Sequence, residues 1–170
     1  MKTGIAILVV SESSLKLSLT IAEHLPGSNL YSSFESIFTD TIPSIATFLK
    51  EHFNRFEAFV FVGSLGICVR SIAPFITDKH TDPAIVNIDS TGKYIVSVLS
   101  GHIGGANSLT KQIARITGGQ AVITTQSDNT DLWALDTLGK TYQCKETVHN
   151  ATMNKLMASF VNKNPVALLL

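Results

Sequence analysis

Apolar runs alternate with amphipathic segments along the chain, and their order predicts an α/β fold. A run rich in β-branched residues is typical of a strand that is buried on both faces of a sheet. On this basis we predict strands over residues 5–10, 30–34, 58–62, 84–89, 94–99 and 121–125. Apolar residues at helical spacing predict helices between them. One begins at Ser13 or Ser14 and ends before Pro26, and the others cover 42–53, 65–76 and 104–116.

Proline and turn residues refine this arrangement. Pro43 is tolerated in the first turn of its helix, and Pro74 is expected to bend or stop the helix that contains it. The strands 84–89 and 94–99 flank a Ser-Thr-Gly-Lys turn, which predicts a hairpin. The fold class is therefore a three-layer α/β/α domain, whose mainly parallel sheet contains one antiparallel hairpin.

The pattern weakens after residue 125, which predicts a domain boundary. We expect an N-terminal α/β domain over 1–128, and a linker with the beginning of a second domain over 129–170. Short helices are predicted over 131–138 and 148–160, and an apolar strand over 165–170. A strand that ends the chain suggests a fragment of a longer polypeptide; the alternative is a C-terminal strand within the sheet.

Composition excludes several classes of function. The 170 residues carry 13 basic and 13 acidic side chains, so no global field favours nucleic acid or a membrane surface. The apolar run 5–10 is too short for a signal peptide or a membrane span, which predicts a cytoplasmic protein. Cys68 is expected to be a buried thiol. The histidines show no metal-ligand spacing, so we predict no metal site.

The exit of the strand 58–62 carries the first candidate site. Gly63, Ser64 and Gly66 stand between this strand and a helix, where glycine amides and a helix N-terminus favour an anion. A tight turn without a ligand is the alternative. Arg70 follows one helical turn later and either binds an anion in a cleft or extends into solvent.

The segment from Ser100 to Asn107 carries the strongest signal. Gly101, Gly104 and Gly105 permit unusual backbone angles, and His102 can act as acid or base. The alternative is a glycine-rich entry to a helix. Lys79 and Asp82 lie on the preceding loop. They are either binding or catalytic groups, or ordinary residues of a solvated loop. Because ligands bind at the carboxyl edges of open sheets, we predict that both candidate segments and Arg70 line one cleft.

Taken in order, these motifs resemble the cobalt-precorrin-5A hydrolase family of anaerobic cobalamin biosynthesis, the CbiG-type proteins. The matching residues are concentrated between about 55 and 130. They are the segments 63–74, 81–84, 99–107 and 122–125, together with Lys79. The resemblance implies an N-terminal α/β domain that is followed by further domains of the same polypeptide.

The resemblance also implies a reaction. The δ-lactone on ring A of cobalt-precorrin-5A is opened and acetaldehyde is released, which gives cobalt-precorrin-5B. The cobalt belongs to the anionic tetrapyrrole substrate, so no protein cofactor is expected. In this interpretation His102, Lys79 and Asp82 are catalytic candidates. The substrate-binding candidates are Gly63, Ser64, Gly66, Arg70, Gly101, Gly104, Gly105 and Asn107.

Two further hypotheses stay open at this point. The chain could be a tetrapyrrole-binding module without catalysis, or an unrelated α/β domain that binds a small anion such as a nucleotide phosphate. The last is disfavoured, because the sequence has neither a P-loop nor a Gly-x-Gly-x-x-Gly motif. A homodimer is possible in each case.

Overall fold

The computed structural model describes residues 2–126, 150–162 and the single residues 135, 139, 142 and 164. The chain divides into two compact units, Met1–Val122 and Ile123–Leu170. The predicted boundary after residue 128 and the predicted strand 165–170 lie outside the described residues, as does the predicted helix 131–138 except for residue 135.

The first unit is an α/β domain around a seven-stranded sheet. Its strands, in chain order, are β1 (Ile5–Val9), β2 (Ser28–Ser32), β3 (Asp40–Thr41), β4 (Ala58–Val62), β5 (Ala84–Ile88), β6 (Tyr94–Leu99) and β7 (Gln120–Val122). Its helices are α1 (Leu15–Glu23), α2 (Ile45–His52), α3 (Leu65–Ile72) and α4 (Ala106–Thr117). Short 3₁₀ turns cover Glu12–Ser14 and Ala73–Phe75. In the second unit, α5 covers Asn150–Val161, where the sequence predicts a helix over 148–160.

The strand order is β3-β2-β1-β4-β5-β6-β7. All neighbouring strands are parallel except β5 and β6, which form the predicted antiparallel pair. The order reverses between β1 and β4, because the chain moves outward from β1 to β3 and then returns to the other side of β1.

Both faces of the sheet are covered, which confirms the three-layer fold. One core combines inward residues of α1 and α4 with alternate strand residues such as Ile7, Val60 and Val86. The other combines α2 and α3 with the opposite set, such as Leu8, Phe59 and Ile85. The strand β4 is buried at all five positions, which explains its uninterrupted apolar sequence.

Several element boundaries differ from the sequence prediction: β2 covers Ser28–Ser32, β7 covers Gln120–Val122 and α4 begins at Ala106. Two further differences lie next to prolines and have local reasons. Helix α2 begins at Ile45, because the Ser44 side chain accepts a hydrogen bond from the Thr47 amide (3.1 Å) and caps the helix. Pro43 therefore precedes the helix instead of lying in its first turn. Helix α3 ends at Ile72, and Pro74 lies in the 3₁₀ turn that follows, as the predicted bend requires.

Candidate functional site

The sheet topology separates the predicted site residues into two groups. We call the edge where β1, β4 and β5 end the carboxyl edge, and the edge where they begin the amino edge. Gly63 and Ser64 follow β4 and lie at the carboxyl edge. Strand β6 is antiparallel to β5, with Leu99 opposite Ile85, so the segment after β6 lies at the amino edge.

The prediction of one shared cleft is therefore wrong. It treated the strand before His102 as a parallel neighbour, whereas the hairpin reverses its direction. The structure instead brings the segment 100–107 close to the loop 77–83, which leads into β5 at the same edge. The Ser100 hydroxyl donates to the backbone carbonyl of Asp82 (3.3 Å) and joins the two segments. All three predicted catalytic residues thus share the amino edge.

The turn around His102 is compact and held by its own backbone. The Ala106 amide donates to Ser100 O (3.2 Å), and the Gly105 amide donates to His102 O (3.1 Å). Ser100 has φ = 57°, the only positive φ at a non-glycine residue in the part of the chain that the structure describes. A left-handed conformation costs a residue with a side chain about 1–2 kcal/mol, so the surrounding contacts must maintain it. His102 itself is half-buried.

Close packing explains one glycine of this turn, and backbone conformation explains another. A Cβ atom on Gly104 would come within 2.5 Å of Ser100 Cβ and 2.8 Å of Ser100 O. Gly105 has open space around it but adopts φ = 87°, a conformation that favours glycine. The glycines therefore shape the turn, whether or not they also contact a ligand.

The Asp82 carboxylate stabilises the neighbouring loop. It accepts hydrogen bonds from the Thr77 amide (3.0 and 3.2 Å to its two oxygens) and from the Thr77 hydroxyl (2.9 Å). Asp82 is only 4% exposed. Its side chain therefore has little surface for a substrate, and its contacts favour a role in holding the loop. Lys79 is exposed on the same loop.

The carboxyl edge carries a second arrangement. The Gly63 amide donates to Ile88 O (2.8 Å), and a Cβ atom on Gly63 would lie 2.8 Å from Val10 Cβ. The exits of β1 and β4 are therefore adjacent, at the point where the strand order reverses. Open α/β sheets bind ligands at such switch points.

Three serines lie at this edge, and sequence reasoning did not count them among the site residues; it named Ser13 and Ser14 only as the possible start of a helix. The Ser11 hydroxyl lies 2.9 Å from that of Ser13 and 3.0 Å from that of Ser14, directly after β1. The signal was available, because these small hydroxyl residues follow a buried strand just as Gly63 and Ser64 do. Gly66 lies in the first turn of α3 and is exposed.

Arg70 extends into solvent from α3, between the two edges. It is exposed among the exposed apolar residues Ile67 and Val69. The only ion pair among the described residues joins His52 to Glu51, so none of these residues provides a carboxylate for Arg70. Its guanidinium is consequently available to an external anion.

Cys68 faces the opposite way on the same helix. It is fully buried, and this burial raises the pKa of its thiol to about 12. The thiol is therefore a core group, as the sequence predicts.

The described part of the chain has no sign of a metal site or of a membrane span. There, no three His, Cys, Asp or Glu side chains come together as metal ligands would. No described helix combines the length and apolarity needed to cross a membrane.

Comparison with known proteins bears directly on both groups of residues. Residues 47–128 match the family model described as "Cobalamin synthesis G N-terminal". The chain is 47% identical to the cobalt-precorrin-5A hydrolase of Salmonella typhimurium over an aligned segment of 89 residues. That segment is 52% of this chain and 25% of the Salmonella protein. It is 41% identical to the cobalt-precorrin-5A hydrolase of Priestia megaterium over an aligned segment of 127 residues. That segment is 74% of this chain and 33% of the Priestia protein.

Over residues 47–128 the chain matches the CbiG family. The family match includes every predicted site residue, at both edges, but not the serines that follow β1. A solved structure of a putative cobalamin biosynthesis protein G homolog from Sulfolobus solfataricus shares the fold. Its TM-score is 0.59 at 21% identity, over 98% of this chain and 50% of the other. The chain thus spans a quarter to a third of the length of the two hydrolases, and half of the Sulfolobus chain.

Proposed function

We propose that this chain carries the N-terminal α/β domain, and the beginning of the next domain, of a cobalt-precorrin-5A hydrolase. Support comes from the CbiG family match and from the two hydrolases at 41–47% identity. The substrate in this proposal is a cobalt-bearing tetrapyrrole with anionic side groups. Its cobalt is carried as substrate, and we assign no cofactor to the protein. The protein acts in the cytoplasm, without nucleic acid or membrane partners.

The proposed catalytic segment is the turn 100–105 at the amino edge. Opening a lactone requires water to attack the ester carbonyl carbon, and the ring C–O bond then breaks. The departing oxygen must receive a proton, and negative charge on the carbonyl oxygen must be stabilised. We assign the proton transfer to His102, because histidine is the side chain that most often acts as a general acid or base. Backbone amides of the glycine-rich turn are suited to donate hydrogen bonds to the negatively charged oxygen that forms.

The left-handed backbone of Ser100 is the observation on which this assignment depends. Conformational strain of this kind is concentrated at functional sites, where the surrounding structure maintains it. Here it reverses the chain immediately before Gly101 and His102. Lys79 on the adjoining loop is positioned to hold a carboxylate of the substrate. We retain Arg70 as a second anion-binding residue, because no described carboxylate neutralises it.

Acetaldehyde release and tetrapyrrole binding test this function. The chain is incubated with cobalt-precorrin-5A, acetaldehyde is measured enzymatically, and binding is followed by the absorbance of the corrinoid. General acid–base catalysis contributes about 10²- to 10⁴-fold, so His102→Ala should slow release by that factor with little change in binding. His24→Ala, an exposed histidine at the end of α1, is the matched control. Wild-type turnover by His102→Ala would remove the histidine from the mechanism.

A binding module without catalysis is the second candidate, and one observation favours it. The chain spans only 25–33% of the two named hydrolases, so their catalytic groups could lie elsewhere. This candidate requires tetrapyrrole binding without acetaldehyde release. Arg70→Ala should then weaken binding by roughly 1.5–3 kcal/mol, the contribution of a hydrogen bond to a charged group.

A further inference from the structure

Asn107 lies in the first turn of α4, and the structure turns it away from solvent. The side chain is only 5% exposed. Its Oδ1 atom accepts a hydrogen bond from the Ser97 hydroxyl of β6 at 2.6 Å. A carboxamide so enclosed presents little surface to a substrate, in contrast to the substrate-binding role that its motif suggests.

The same carboxamide packs against the residue that precedes His102. A Cβ atom on Gly101 would lie 2.8 Å from Asn107 Oδ1, 3.1 Å from Nδ2 and 3.2 Å from Cγ. The amide group therefore occupies the space that any side chain at 101 would need. The Asn107 backbone amide also donates to Gly101 O at 3.0 Å. Asn107 thus holds Gly101 by its side chain and by its main chain.

We propose that Asn107 is a positioning residue for His102. It joins Gly101 to Ser97, and so fixes the turn that carries the imidazole relative to the rigid strand β6. The inference rests on the proposed function, in which His102 transfers the proton. Asn107 acts through His102 and does not contact the substrate.

Positioning and substrate contact predict different kinetics. Asn107→Leu keeps the approximate volume but removes the acceptor for Ser97. Because a small misplacement of a reacting group can cost about 10²-fold in rate, kcat should fall by about that factor while KM stays within about twofold. Ser97→Ala removes only the donor and should lower kcat in the same direction by less. Asn107→Asp keeps an acceptor for Ser97 and should be about tenfold faster than Asn107→Leu.

A double-mutant cycle with His102 gives the decisive measurement. If Asn107 acts through His102, Asn107→Leu should cost less than about twofold once His102→Ala is present. Thr110→Val is the matched control. Thr110 is fully buried one turn further along α4, and its Oγ1 has no hydrogen-bond partner among the described residues. The kcat of the Thr110→Val variant should stay within about twofold of wild type. A cooperative thermal unfolding transition shows that each variant is folded.

Each result has a defined consequence. Multiplicative losses in the cycle, or a raised KM with unchanged kcat, would overturn the positioning role and leave the hydrolase assignment intact. Wild-type kcat in Asn107→Leu would also overturn it. A wild-type chain that neither binds cobalt-precorrin-5A nor releases acetaldehyde would overturn the proposed function, and the positioning role with it.

Discussion

Replacing Gly104 by alanine tests the close packing of the turn at the amino edge. The new Cβ atom would lie 2.5 Å from Ser100 Cβ, 2.8 Å from Ser100 O and 3.5 Å from the Ala84 amide nitrogen. The first two distances are far inside van der Waals contact, and one involves backbone, so Ser100 must move. Overpacking of this kind costs about 1–3 kcal/mol. Alanine regains about 0.4–1 kcal/mol by restricting the unfolded chain. The expected net loss is about 1–2 kcal/mol, or roughly 3–8 °C in Tm.

Thermal and urea unfolding of four variants separates crowding from backbone strain. Gly104→Ser should be less stable than Gly104→Ala, because a larger side chain increases the clash. Gly105 has no atom within 4 Å of its Cβ position but adopts φ = 87°, so Gly105→Ala and Gly105→Ser should lose similar stability. Equal stabilities for Gly104→Ala and wild type would refute the packing argument. So would equal losses for the two substitutions at Gly104.

Two further predictions concern titratable groups. Because burial raises the pKa of the Cys68 thiol to about 12, the thiol should resist alkylation by iodoacetamide at pH 8 until the protein unfolds. Mass spectrometry measures this alkylation in the Cys144→Ser variant, in which Cys68 is the only cysteine. Burial raises the pKa of Asp89, but hydrogen bonds from the Thr91 side chain and from the amides of Tyr94, Thr91 and Lys93 outweigh it, so that the pKa is lowered. This lowering stabilises the fold above the unfolded pKa of about 3.9 and is lost as the pH falls through the folded pKa. The stability advantage of wild type over Asp89→Asn should therefore shrink in acid; an advantage that grows in acid would contradict this reasoning.

The strands that the sequence predicts well are those with a buried apolar run. Strands β1, β4, β5 and β6 agree with prediction to within one residue at each end. In β4 and β5 every position is buried, and in β6, which is only partly buried, the apolar residues and the turn before them give the signal. Strand β3 has two residues, Asp40 and Thr41, and both are exposed. Its pairing with β2 depends on the tertiary structure, and its two-residue sequence contains no hydrophobic pattern that could predict a strand.

The site was harder to predict than the fold, for two physical reasons. The direction of a strand decides the edge at which the following loop emerges. The predicted hairpin already implied that β6 runs antiparallel to β5, and therefore that the segment after β6 lies at the amino edge. Burial of polar residues was the second difficulty. Asn107 shares the inward face of α4 with Thr110 and Ile113 at helical spacing, so periodicity indicates its burial. A motif-based interpretation, which reads polar residues beside glycines as ligands, overlooks this.

The two edges should behave as energetically separate sites, and β5 provides the means to test this. The Gly63 amide donates to Ile88 O at one end of β5, and the Cβ position of Gly104 approaches the Ala84 nitrogen at the other. Four residue steps of about 3.3 Å place these ends about 13 Å apart. Mutational effects couple mainly within 7–10 Å, so the stability losses of Gly63→Ala and Gly104→Ala should add within about 0.3–0.5 kcal/mol. A coupling above about 1 kcal/mol in the urea unfolding of the double mutant would show that β5 transmits strain between the edges. The reversal of β6 would then separate the two groups in space without making them independent.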